Sequence, residues 1–178
     1  TNHATMWALA EEFGIPLDDR FADYPADGFS PDTWVADGAI VPEDTILEQF
    51  VAVAPKMASD ALDADNDDDA YTTLDETTLQ AWLDANVPVA DYPELHAVLV
   101  SAYRGEFGRE VDEQSCLNML YLIGSDDAST FRVFGASDER YHTHGGNDLL
   151  PKALAAAVSE VADIHTGHRL TRVAAVDG

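Results

Sequence analysis

The chain has 178 residues, 46% of them apolar, which suits a folded domain with its own core and excludes a disordered polypeptide. Acidic residues number 34 against 9 basic ones, a net charge of −25, and this argues against nucleic acid as a partner because phosphate would be repelled. No apolar run approaches bilayer length, and the single cysteine, Cys116, excludes an internal disulfide.

Helical periodicity starts at once, with Ala4, Trp7 and Leu9, and predicts a helix over 3–13 closed by Gly14, with Ile15 and Pro16 preventing continuation. Residues 18–31 mix Asp, Pro and Gly and read as loop. The stretches 33–36 and 39–41, joined by Asp37-Gly38, predict a short hairpin. Pro42 and Glu43 open a second helix with Ile46, Phe50, Val51 and Val53 as apolar positions, a kink expected at Pro55, and continuation towards Leu62. The window 63–70, DADNDDDA, is the most acidic of the chain.

A third helix is expected from Thr77, which with Gln80 matches a capping box; Leu79, Trp82 and Leu83 give it an apolar side and Pro88 stops it. The next begins at Pro93, a residue suited to a first helical position, and runs to Gly108. Another is expected over 110–123, apolar on most sides at Leu117, Leu120, Tyr121 and Leu122 and therefore central. Gly124 ends it, 125–129 are loop, and 130–134 is a short β candidate.

The tail reads as strand, glycine pair, helix, short loop, strand. Gly145 and Gly146 permit a sharp turn, Asn147 and Asp148 offer cap oxygens, and Pro151 falls in the first turn. Leu149, Leu150, Leu154, Ala157, Val158 and Val161 form one apolar face, Gly167 closes the loop, and 168–176 resumes a strand pattern. No basic-then-apolar leader opens the sequence; it begins with Thr and goes almost at once into helical periodicity, and Asp177-Gly178 is a hairpin signal without its second strand, so both ends are expected to continue in a longer polypeptide. There is no internal repeat. The fold class is α+β, a mainly helical body with a small β element and then the strand–helix–strand tail.

The dispersed carboxylates, abundant alanine and scarce lysine (Lys56 and Lys152 alone) match a cytoplasmic protein of a salt-accumulating halophile; the alternative is an ordinary acidic domain. From Asp65, acidic residues fall at positions one, three and five of a calcium loop, and Glu76 falls at twelve. Position six is Ala70 where such loops need Gly, and position eight is Thr72 where they carry an apolar residue, so a solvated acidic stretch is the preferred reading. His142 and His144 would share one strand face, with His165 and His168 further on, but no cysteine or helical His pair accompanies them as a zinc site needs. Cys116 sits in SCLNMLYLIG and reads as a small buried apolar residue. Neither G-x-S-x-G, a P-loop nor G-x-G-x-x-G occurs, so no catalytic residue and no metal ligand is assigned.

The run ASDERYHTHGGNDLLPKALAAAV, followed by GHRLTRV, resembles the flavin-containing amine oxidase family, which includes monoamine, polyamine and L-amino acid oxidases. SAYRGEFGREVDEQSCLNMLYLIG is similar to that family's helical pair, LDETTLQAWLDANVP to the helix before it, and WVADGAIV to the opening of its substrate domain. The order of these segments carries the resemblance. It implies a substrate-domain segment over 1–140 and a segment of an FAD-binding domain over 141–178. It also implies FAD as cofactor, with the pyrophosphate-binding motif before Thr1 and the lysine and aromatic cage near the flavin after Gly178.

By the same resemblance Leu170 matches a residue whose backbone meets the adenine of FAD, and Leu83, Val87, Phe131 and Val133 match walls of the substrate cavity, with core packing as the alternative for each. The implied reaction oxidises a primary amine or L-amino acid to an imine while oxygen becomes hydrogen peroxide. The implied partners are the small-molecule substrate and the rest of the same polypeptide, with no nucleic acid and no membrane span; a homodimer is compatible. The competing readings are a stand-alone acidic calcium-binding or interaction module, and a related flavoprotein acting on carbon–carbon bonds.

Overall fold

The computed structural model describes residues 3–22, 33–36, 38–137 and 140–174. In chain order these hold α1 (Ala4–Glu12), β1 (Leu17–Asp19), β2 (Trp34–Ala36), β3 (Ala39–Val41), α2 (Glu43–Asn66) and α3 (Asp68–Asp75). Then come α4 (Leu79–Asn86), α5 (Pro93–Phe107), α6 (Leu117–Leu120), β4 (Tyr141–Thr143) and α7 (Leu149–Val158). Helices and two two-stranded antiparallel sheets make the fold mixed, in keeping with α+β. The chain divides into two compact units, Ser30–Asp138 on one side and Thr1–Phe29 with Glu139–Gly178 on the other. No helix among the described residues is long and apolar enough to cross a membrane.

In the unit Ser30–Asp138, α2 lays Ile46, Phe50, Val53, Ala54, Met57 and Ala64 along one buried stripe. Val51, expected among the apolar positions, is half exposed off that stripe. The helix passes Pro55, which has no N–H to give the preceding turn, and ends at Asn66. The acidic window that follows is largely helical: Asp67 is extended and its Oδ1 accepts from the N–H groups of Asp69 and Ala70, both at 2.9 Å. Asp68 and Asp69 then add negative charge at the positive end of the α3 dipole.

The cap of α4 is Thr78, not the expected Thr77: Thr78 Oγ1 accepts from Ala81 N–H at 3.2 Å, whereas Thr77 Oγ1 donates to the Thr73 carbonyl at 2.8 Å. Gln80 turns its amide to Asp84 instead of closing a capping box. The remaining free amides at this helix start find backbone partners far along the chain, Leu79 on the Gln114 carbonyl at 2.8 Å and Gln80 on the Val111 carbonyl at 2.9 Å. Cys116 N–H returns the pairing to the Thr77 carbonyl at 2.9 Å. With those carbonyls committed to α4, the helix expected over 110–123 contracts to α6. Its central position holds in part: Cys116, Leu117, Met119, Leu120 and Ile123 are buried, but Tyr121, expected on its apolar sides, is half exposed and Leu122 only partly buried. Helix α5 starts at Pro93 and ends on left-handed Gly108, whose N–H reaches the Arg104 carbonyl at 3.0 Å, as expected.

The β2–β3 hairpin forms with Trp34 opposite Val41 and Ala36 opposite Ala39; its turn residue Asp37 lies outside the described residues. The β candidate at 130–134 forms no strand, and its last two residues belong to a turn. Two of its central carbonyls are taken by non-strand partners, Arg132 by Gly124 N–H and Gly135 N–H, and Val133 by the Tyr103 hydroxyl.

In the other unit, β1 pairs with β4 in the register Leu17–Thr143, Asp18–His142 and Asp19–Tyr141, so 17–19 is strand where 18–31 read as loop. Residues 23–32 of that stretch lie outside the described residues. Gly145 and Gly146 take φ of 86° and 118°, the turn that glycine permits. The expected cap is not made: Asn147 Oδ1 turns back to accept from Thr143 Oγ1 at 2.7 Å, and Asp148 pairs with Lys152. Helix α7 buries Leu150, while Leu154 and Val158 of its predicted apolar face are exposed. The strand expected over 168–176 is absent from 168–174, which pair with no ladder among the described residues; 175–178, including Asp177-Gly178, lie outside them.

Candidate functional site

The residues assigned to a cavity wall come together inside the unit Ser30–Asp138. Leu83, in the second half of α4, and Val87, just past its end, are fully buried. Phe131 packs its ring against Trp34 and Phe50, each at 5.1 Å between centroids. Val133 lies against the same core, and its carbonyl accepts from the Tyr103 hydroxyl at 2.6 Å. Leu83, Val87 and Phe131 thus pack within one buried cluster. Leu170, in the other unit, keeps 76% of its surface exposed.

Two buried polar arrangements in this core are invisible to sequence reasoning. His96 on α5 places Nδ1 2.7 Å from the Val87 carbonyl, a bond in which the nitrogen must carry the proton. Asp60 on α2, 6% exposed, accepts from Trp82 Nε1 at 2.8 Å and from Lys56 Nζ at 2.6 Å. Cys116 is buried as expected, its Sγ donating to the Leu74 carbonyl at 3.1 Å. Burial, and secondarily the negative Asp60, push its thiol up to about 11, so it is not a poised nucleophile.

Neither metal reading acquires a ligand shell. Asp67, third in the calcium-loop spacing that is not the preferred reading, spends its oxygen capping α3, and the residues around it are helical. His142 Nε2 and His144 Nδ1 both face Asp18, at 3.4 and 3.1 Å, and the His165 and His168 rings meet edge to face at 5.7 Å. Among the described residues no three His, Cys, Asp or Glu side chains are placed to hold a metal ion.

An open groove of about 460 Å³ lies between α3, the end of α5 and α6. The rings of Tyr71, Phe107 and Tyr121 line it, with the carboxylates of Asp75 and Glu106 and the amide of Asn118. Burial, together with the neighbouring Asp65, raises the Tyr121 hydroxyl above its ordinary range. The acidic run supplied a sequence hint to one wall; nothing in the pattern set Phe107 and Tyr121 beside it.

Compared with protein-family models, with curated proteins and with solved structures, the chain matches none.

Proposed function

We propose that this chain is part of an FAD-dependent oxidoreductase that oxidises a primary amine or L-amino acid to an imine, with oxygen reduced to hydrogen peroxide. The ordered run of segments similar to flavin-containing amine oxidases supports the reading. One structural observation carries it furthest: the apolar side chains of the tail are uncovered. Val161, Leu170 and Val173 keep 87, 76 and 81% of their surface exposed, and Leu154 and Val158 keep 45 and 37%. Exposed apolar side chains gathered on one segment call for a partner surface. In this proposal the FAD-binding domain of the same polypeptide covers them, so 141–178 is the chain's return to that domain and 1–140 is a segment of the substrate domain.

The residues present do not build a flavin site on their own. The one proposed contact, Leu170, stands exposed, and the sequence holds no G-x-G-x-x-G, the spacing that holds a pyrophosphate at a helix start. No chemical step is therefore assigned to any residue here, and the chain alone is expected neither to retain FAD nor to turn over. Leu83, Val87, Phe131 and Val133 act, in this proposal, by shaping the core behind a substrate cavity. The net charge of −25 supports a salt-rich cytoplasmic setting as part of the same proposal. Sequencing the coding DNA on both sides tests it. The frame should run upstream into a strand, G-x-G-x-x-G and helix; a start codon just before Thr1 with a stop just after Gly178 would sink the reading.

A further inference from the structure

We propose that the groove between α3, α5 and α6 is a binding site for a small organic cation, a primary ammonium or a guanidinium. Tyr71, Phe107 and Tyr121 are 45, 41 and 49% exposed and line one concavity, with Leu117 and Leu122 beside them. The Phe107 ring is held in place: it stacks on Tyr103 at 6.3 Å and 11°, and Tyr103 is itself buried and anchored on the Val133 carbonyl. Aromatic faces carry negative electrostatic potential and attract cations that come within reach. Asp75 and Glu106 add full negative charges at the same groove, and no Lys, Arg or His is among the residues that line it.

The alternatives fit less well. An anion would meet those carboxylates and the overall charge of −25. A hard divalent cation prefers several converging oxygens, and no such set stands among the described residues. A plain solvated acidic face would be expected at this composition, but here three rings and two carboxylates share one open groove, which a face of charged side chains alone does not provide. The proposal rests on this groove alone and holds whether or not the chain belongs to an oxidase.

The test is a nuclear magnetic resonance titration of the chain with n-butylammonium and n-butylguanidinium chloride at constant ionic strength, with 1-butanol as the neutral control. Saturable shifts of the Tyr71, Phe107 and Tyr121 ring signals with the cations, and none with the alcohol, are expected. Tyr121→Ala and Asp75→Asn should each weaken binding by roughly three- to tenfold. Both residues are exposed, and the amide spectrum of each variant reports that the fold is intact. A short peptide carrying one Lys or Arg, added in a parallel titration, identifies the source: tighter binding of the peptide assigns the site to a protein side chain, and equal binding assigns it to a free amine. Equal shifts with the alcohol, no saturation, or variants that bind as the parent would overturn the proposal.

Discussion

Arg140 grips the carboxylate of Asp19 at two points, Nε donating to Oδ1 at 2.8 Å and Nη2 to Oδ2 at 2.6 Å, across 121 residues of sequence. The pair ties the end of β1 to the residue that enters β4, and the guanidinium also lies 5.1 Å from the Tyr141 ring centre. A fork-to-fork pair of this kind fixes geometry as well as charge, which Lys cannot imitate.

The Arg140 hydrogen bonds hold the Asp19 carboxyl below its ordinary range, with Phe21 N–H assisting. A carboxyl lowered on folding stabilises the folded state above its unfolded pKa, and that contribution disappears as pH falls through the lower, folded value. Loss of protection in β1 and β4 is therefore expected below about pH 4. Hydrogen exchange over 17–19 and 141–143 measures it. Asp19→Asn should speed exchange there by roughly threefold at neutral pH and flatten the acid-side dependence. An unchanged acid profile in the variant would show that the pair does not clamp the sheet.

Asp60 offers a second prediction. Its carboxylate satisfies the Trp82 indole within the core, and Lys56 neutralises it from the exposed side. Asp60→Ala leaves the indole N–H without a partner and should cost about 2–4 kcal/mol in urea unfolding at high salt. Asp60→Asn keeps an acceptor for Trp82 and should cost less, about 1–2 kcal/mol. Equal costs would mean that the charge, and not the hydrogen bond to Trp82, matters.

The charge of −25 predicts that salt stabilises the fold. Raising KCl from about 0.1 to about 1 M shortens the screening length from about 10 to about 3 Å and damps repulsion among the carboxylates. The thermal midpoint should rise by on the order of 5 °C or more. A midpoint independent of KCl, and equally independent of NaCl, would remove the case for a salt-adapted protein.

Local signals in the sequence carry much of the fold. Pro93 and Gly108 bracket α5, the β2–β3 hairpin follows from two short stretches joined by Asp37-Gly38, and the apolar density around Leu117–Leu120 marks the centre of the core. What escaped notice depends on distant partners. The sheet residues 17–19 become strand because 141–143 lie opposite, and three residues carry no legible period by themselves. The Val111 and Gln114 carbonyls serve the start of α4, so a segment with helical composition could not remain one helix. Thr77 and Thr78 are chemically alike, and the bridge of Thr78 to Ser115 goes with the choice between them as cap. By sequence the acidic window reads only as a calcium loop or a solvated acidic stretch; Asp67 as cap and Asp68 and Asp69 at the dipole's positive end make it helical instead. For the site, Leu83 and Phe131 were legible as apolar positions but not as neighbours, and the groove beside Tyr121 needed three helices to assemble it.

The most direct measurement is on the protein encoded by the complete reading frame, purified in high salt. Its flavin absorbance and its peroxide release should be recorded on addition of a panel of amines and L-amino acids. The account predicts a bound flavin that bleaches anaerobically with at least one of these substrates and yields peroxide in air. A protein that contains no flavin, or whose flavin no amine or amino acid reduces, would contradict it.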